Sequence, residues 1–312
     1  MNVQAPFEDG DGVVGVSLAE LIALRARVAK LAAPPQASRA SHAGPRASRL
    51  HGRGMDYAES RVYQPGDDVR RLDWRLTARS GRLHTKLFEE EREGRLLVVV
   101  DNNATMHFGT RVRYKSVQAA RAAALAGWYA VRGGDRVGAL GFGDGQALLR
   151  PQGGPRGALA LCGALARWDR QFVADATAEP LSDALLRARR LMHGASRVLV
   201  ISDGWHVDDR SRERLLDLAR HADVMVLAVA DALEARPAPP GRYPVAWRDH
   251  RAEVALESER QRQEFQALLA AGQARLLSMS RSLGLRSKVI ETSDDPLDAV
   301  LALLGPLRGR NR

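Results

Sequence analysis

Leu96-Leu97-Val98-Val99-Val100-Asp101-Asn102-Asn103-Ala104-Thr105 and Val198-Leu199-Val200-Ile201-Ser202-Asp203-Gly204 decide how this chain folds. Each is an unbroken run of Leu, Val and Ile, the first stopping at Asp101 and the second at Ser202-Asp203. A half-buried strand alternates apolar and polar residues; an unbroken run belongs to a strand covered on both faces. Two such runs separated by helical patterns predict an α/β fold with a mostly parallel sheet flanked by helices.

The neighbouring sequence extends this pattern. Helices are expected over Lys115 to Arg132, Gly157 to Trp168, Leu181 to Met192, Ser211 to His221, Glu257 to Leu283 and Pro296 to Leu304. Strands are expected over Arg136 to Phe142, Ala147 to Arg150, Asp223 to Ala230 and Ser287 to Glu291, with a hairpin turn at Asp144-Gly145. Val245 to Trp247 and Ala252 to Leu256 suggest a hairpin at the sheet edge. Near the start, Ser17-Leu18-Ala19-Glu20 forms a capping box for a helix to Leu31. Ala32 to Gly54, rich in Pro, Ser, Ala, Gly and Arg, predicts an arm without regular structure. Short alternating segments, Ala58 to Tyr63 and Arg82 to Phe88, flank a charged centre and predict a small β-containing module. The expected domains are thus 1–54, 55–94 and 95–312.

The 312 residues are 45% hydrophobic and 27% charged, which excludes wholesale disorder and fibrous repeats. Cys162 is the sole cysteine, so neither an internal disulfide nor a multi-cysteine metal cluster is available. The acidic first residues and the lack of a long apolar run argue against a secretory leader or a membrane span of about 20 residues. A cytoplasmic protein is the expectation. The formal charge is +10, and only four of the 47 basic residues are lysine.

Ligands of open parallel sheets sit beyond the carboxyl ends of the strands, where Asp101 and Asp203 fall. Asp101, Asn103 and Thr105 alternate along one loop and all carry oxygen, as hard divalent cations such as magnesium or manganese require. Thr177, in Asp175-Ala176-Thr177, is the candidate from a second loop. The arrangement resembles the von Willebrand factor A fold and its metal-ion-dependent adhesion site. In that family the first loop reads Asp-x-Ser-x-Ser, a second loop gives Thr and a third gives Asp, often before Gly. The resemblance implies Asp101, Asn103, Thr105, Thr177 and Asp203 as ligands, with Asn103 standing where the family has Ser. Two readings stay open at this point. Asn103 can ligate through its amide oxygen or close an Asx turn, and the aspartates can hold a metal or simply cap helices.

A longer motif precedes the sheet: Tyr63-Gln64-Pro65-Gly66-Asp67-Asp68-Val69-Arg70-Arg71-Leu72-Asp73-Trp74-Arg75, then Thr77-Ala78-Arg79. Pro65-Gly66 suits a type II turn, and the alternating Asp and Arg residues can form ion pairs. This stretch resembles the signature of the bacterial family called domain of unknown function fifty-eight. Arg61, Tyr63, Pro65, Gly66, Asp67, Asp68, Arg70, Asp73, Trp74, Ala78 and Arg79 match it, with Leu72 for Ile. The resemblance implies a von Willebrand A-like domain, often encoded beside a MoxR-type AAA+ ATPase in chaperone-like systems. Trp74 is expected as a core anchor, and the motif as a whole, Tyr63, Asp67, Asp68, Arg70, Arg71, Asp73, Trp74, Arg75 and Arg79, either locks the small module in place or presents a partner surface of aromatic and Arg residues.

Other motifs carry less. Gly141-Phe142-Gly143-Asp144-Gly145 lacks the helix that a dinucleotide fingerprint opens, and no phosphate-binding Gly-Lys-Ser/Thr loop occurs. His206, three residues after Asp203, can face the sheet-end site, but a place on a surface loop is the expectation. Arg39, Arg46, Arg49 and Arg53 form a basic arm without a nucleic-acid recognition module. The expectation is a non-enzymatic protein-interaction module whose partner is a MoxR-type ATPase or its client. It would capture an acidic side chain through a degenerate adhesion site holding magnesium, manganese or no metal. The alternatives from other classes are a metal-dependent phosphoesterase and a nucleic-acid-binding protein.

Overall fold

The computed structural model of the protein describes residues 9–31, 55–90, 94–143, 147–172, 177–191, 196–247 and 250–305. The arm expected over 32–54, the turn at Asp144-Gly145 and the Asp175-Ala176 part of the second loop lie outside the described residues. The chain forms two compact units. One comprises Met1–Gln36 with Gly94–Arg312, and the other Ala37–Glu93.

The larger unit begins with α1 (Leu18–Ala23) and α2 (Arg25–Ala29). Ser17 Oγ caps α1 by accepting from Glu20 N at 3.2 Å. The expected single helix is two short ones because Arg27 N turns back three residues to Leu24 O. Val16, Leu21, Leu24 and Val28 join the core of the sheet domain. Trp128 Nε1 donates to Leu21 O at 3.0 Å, and Val16 N to Asp169 Oδ2 at 2.8 Å. Burying each such aliphatic side chain contributes about 1.5–3 kcal/mol, which makes this segment part of the larger domain and not of a separate N-terminal region.

The smaller unit holds β1 (Met55–Val62), α3 (Trp74–Ser80) and β2 (His84–Glu90). β1 and β2 pair antiparallel, with a register shift between Tyr57 and Glu59. Gly66 takes φ 109°, as the expected turn requires. α3 was not legible from apolar periodicity. Its ends define it instead: Asp73 Oδ1 accepts from Leu76 N at 3.0 Å, and Gly81 closes the helix in the left-handed region.

Back in the larger unit, the chain runs through β3 (Arg95–Asp101), α4 (Lys115–Arg132), β4 (Arg136–Phe142), β5 (Ala147–Gln152), α5 (Gly154–Arg170), α6 (Leu181–Leu191) and β6 (Ser196–Ser202). It continues through α7 (Ser211–Ala219), β7 (Asp223–Ala230), α8 (Ala232–Ala235), β8 (Gly241–Trp247), β9 (His250–Leu256), α9 (Glu259–Leu269), α10 (Ala271–Ser282), β10 (Arg286–Glu291) and α11 (Leu297–Leu304). The six-stranded sheet has the order β10-β7-β6-β3-β4-β5. Neighbours are parallel except β4 and β5. This is the expected α/β layout, a mostly parallel sheet flanked by helices.

Strand periodicity divides the core. Leu96, Val98 and Val100 face one layer with α4, α5 and α11, while Leu97 and Val99 face the other with α6, α7 and α10. α4 is buried nearly all round, which explains its run of alanines. Two expectations differ from the fold. Among the described residues, β8 and β9 pair only with each other and do not extend the main sheet. The long helix from Glu257 is divided at Ala270, just before Gly272, whose backbone lies against Gly204 and Trp205.

Candidate functional site

β3 lies between β4 and β6, so the chain leaves its carboxyl end toward one side and that of β6 toward the other. Such a divergence of loops is where open α/β sheets place their ligands. Asp101 is the last residue of β3, and Asp203 directly follows β6; both are 1% exposed. One carboxylate oxygen from each and one ring nitrogen of His206 all lie within 4.8 Å of one another. The two strand-end aspartates therefore share one rim, as the sequence predicts.

Each side chain is held by its neighbours. Asp101 Oδ1 accepts from Asn103 N at 3.0 Å and Asn103 Nδ2 at 2.8 Å, and Oδ2 accepts from Ser202 Oγ at 2.6 Å. Burial first, and then the charge of Asp203, push the Asp101 carboxyl up to about 7. The Asx turn is that of Asp101, closed by Asn103 N; the side chain of Asn103 makes no such turn of its own. Its Nδ2 also donates to Glu179 O at 3.2 Å, and its Oδ1 accepts from Glu179 N at 3.0 Å. Those partners fix the orientation of the amide. Thr105 Oγ1 is buried without a hydrogen-bond partner. Thr177 is exposed, and Glu179, two residues further on, occupies the position beside Asn103.

Sequence reasoning missed the residue that ties the site together. Lys115, at the start of α4, is 1% exposed. Its Nζ donates to Asp203 Oδ2 at 2.8 Å and to Glu234 Oε1 at 2.7 Å, and lies 5.8 Å from the centre of the Phe108 ring. Burial lowers the Lys115 pKa, but Asp203 and Glu234 outweigh it and hold the ammonium above its ordinary value. Glu234 Oε2 in turn accepts from Asp231 N at 2.8 Å. Asp203 Oδ1 accepts from Trp205 N at 3.0 Å. His206 is half-buried, with Nδ1 shielded from solvent, so of its two readings the structure shows the one that faces the sheet-end aspartates and not the surface loop. Desolvation lowers its pKa against the pull of Asp203.

A hard divalent cation needs several oxygen lone pairs aimed at one point. Asp101, Asp203 and His206 are close enough to offer ligand atoms, and Thr105 has an unspent hydroxyl. However, the Asn103 oxygen is committed to Glu179 N, both Asp101 oxygens already accept, and Asp203 Oδ2 is bonded to an ammonium. As arranged, this donor set does not fit magnesium or manganese.

The signature residues divide into two kinds. Asp73 is buried and accepts from Ser60 Oγ at 2.7 Å; Asp67 Oδ1 accepts from Arg61 at 2.7 Å and its Oδ2 from Gln64 N at 2.9 Å; Asp68 caps the turn at Arg70. These carboxylates shape the module. Tyr63 is half-buried. Arg70, Arg71, Arg75 and Arg79 are exposed, as is Val69, and Trp74 is 68% exposed. Trp74 is thus not the core anchor expected. α3 turns it outward, and Asp73 makes the inward contact.

The Mycobacterium tuberculosis protein described as "Uncharacterized protein Rv1480" is 43% identical over 101 residues, 32% of this chain and 32% of that one. The match therefore spans about a third of that relative's length. An aerotolerance-related membrane protein from Bacteroides fragilis aligns with 67% of this chain and 96% of its own at 14% identity and a TM-score of 0.46. The SpRpn10 VWA domain aligns with 69% of this chain and 97% of its own at 12% identity and a TM-score of 0.38. A family model described as "Protein of unknown function DUF58" matches residues 59–275, well over half of the sequence, and the chain belongs to that family.

Proposed function

We propose that this chain is a non-enzymatic protein-interaction module that binds through the loops at the carboxyl edge of its sheet. The partner is a MoxR-type AAA+ ATPase or the client it remodels. One observation carries the reading. The loop between β3 and α4 turns Phe108 and Val112 outward, 37% and 42% exposed, above a polar cluster that is itself buried. Val13 and Val14, also exposed, lie beside it, with Val13 O accepting from Tyr114 N at 2.8 Å. Apolar side chains grouped over a locked polar base suit a protein surface better than a small substrate.

The buried cluster is a degenerate adhesion site. Asp101, Asp203 and His206 retain the neighbourhood in which magnesium or manganese would be held, but their lone pairs are already committed. Its role here is to fix the rim loops in place. Arg70, Arg71, Trp74, Arg75 and Arg79 give the smaller unit a second contact surface, and the net positive charge favours an acidic partner.

The test is co-purification of the chain with a co-expressed MoxR-type ATPase. Native chain is expected to co-elute, and the Phe108→Asp/Val112→Asp double variant to bind at least about tenfold more weakly while melting as the native chain does, because exposed apolar anchors dominate such contacts. Equal binding by the variant would remove the rim from the interface. No association of the native chain would remove the ATPase as partner.

A further inference from the structure

We infer that Lys115 is the resident cation of the sheet-end site, its ammonium taking the place of a divalent metal. The inference deepens the reading of this rim as a degenerate adhesion site and rests on it. Geometry comes first. The ammonium is within hydrogen-bond distance of Asp203, one of the two strand-end carboxylates that a metal would have to share, and of Glu234. All three side chains are almost completely buried, so water does not compensate their charges. A cation entering from solvent would have to break the Lys115–Asp203 bond and sit beside an ammonium left with Glu234 as its carboxylate partner in a dry site.

Residue type is the second argument. Arginine is the habitual base of this chain, and lysine stands at only four positions. A guanidinium is a wide planar fork suited to bidentate contacts, whereas an ammonium is a compact point charge with three donors. Only the latter resembles a metal ion in size and in the way it gathers oxygens. The rest of the site is matched to it. Asn103 turns its NH2 toward Asp101 and spends its oxygen on Glu179 N, so Asp101 is satisfied by neutral donors and does not need a second cation. Glu234 is itself held through its other oxygen by Asp231 N.

The chemical consequence is a site without an exchangeable coordination position. A partner's carboxylate has no Lewis acid to complete, so recognition passes to the side chains on the rim.

The test uses the full chain and manganese chloride, with free manganese read by its electron paramagnetic resonance signal and stability by thermal melting. Native chain is expected to leave the signal undiminished in millimolar manganese and to melt at the same temperature with manganese or with chelator. Lys115→Met is expected to melt lower and to take up manganese at least roughly tenfold more tightly than native chain. Manganese should restore part of its lost melting temperature. Asp203→Asn in the Lys115→Met background should abolish both the uptake and the rescue. Tight, stoichiometric manganese binding by the native chain, with melting lowered by chelator, would overturn the inference. So would a folded Lys115→Met chain that takes up no manganese. If Lys115→Met does not fold, the native-chain titration alone decides. None of these readouts involves the partner, so they stand or fall separately from co-elution with the ATPase.

Discussion

Asp231 is fully buried and accepts from Thr110 N at 2.9 Å, Thr110 Oγ1 at 2.6 Å, Leu233 N at 3.1 Å and Thr292 Oγ1 at 3.2 Å. Burial raises its pKa, but the donors, Thr110 foremost, lower it further, so the folded-state value lies below the ordinary one. An unfolded aspartate titrates near about 3.9. The stabilisation is therefore complete above about pH 4 and is lost as pH falls through the depressed folded value. Asp231→Asn should lower stability at neutral pH by about 1–3 kcal/mol, because an NH2 would face donors that need an acceptor. It should also flatten the acid limb of the urea midpoint plotted against pH. An acid limb as steep as that of the native chain would show that other carboxylates set it. Lys115 is a different kind of residue. Its partners lie 88 and 119 positions away, so no local spacing could have paired them. The available signal was a lysine, in an arginine-rich chain, opening a helix of alanines. The aspartates were legible because each ends an apolar run, and Asn103 was ambiguous because its amide serves either role until Glu179 is placed beside it.

Among the elements, α10 depends on two glycines. Gly204 takes φ 80°, and a Cβ there would lie 2.3 Å from Gly272 O; a Cβ on Gly272 would lie 2.7 Å from Trp205 N. The helix thus approaches the loop after β6 backbone to backbone. Gly204→Ala combines a left-handed conformation with overpacking and should cost about 1–3 kcal/mol or more, measured by urea unfolding. Gly272→Ala should cost less, since it has only the contact to relieve. An equal loss in both would mean that the close approach alone matters. The buried strands and α4 were legible since their residues carry the pattern themselves. The division at Ala270 was not, because it answers to Gly204 in another part of the chain. α3 was missed because it buries almost nothing: its caps specify it, and Trp74 faces solvent. Trp74→Ala should therefore change stability by less than about 0.5 kcal/mol in urea unfolding. If Trp74 belongs to the second contact surface, the same variant weakens partner capture.

At the scale of the whole molecule, charge decides how a partner approaches. With a formal charge of +10, association with an acidic protein should be faster at low ionic strength and slow steeply as salt is added, while dissociation changes little. Stopped-flow mixing across a salt series measures this. A flat association rate would mean that the basic surface plays no part in the encounter. Among the described residues, no helix is long and apolar enough to cross a membrane.

The order of the two units along the chain has a mechanical side. α1 and α2 are fastened to α4 and α5, the chain then departs to build the smaller unit, and it re-enters as β3, a strand hydrogen-bonded on both sides. The smaller unit is therefore an insert tied to its host at two places. The strand by which the chain returns to the larger unit is the one whose far tip bears Asp101.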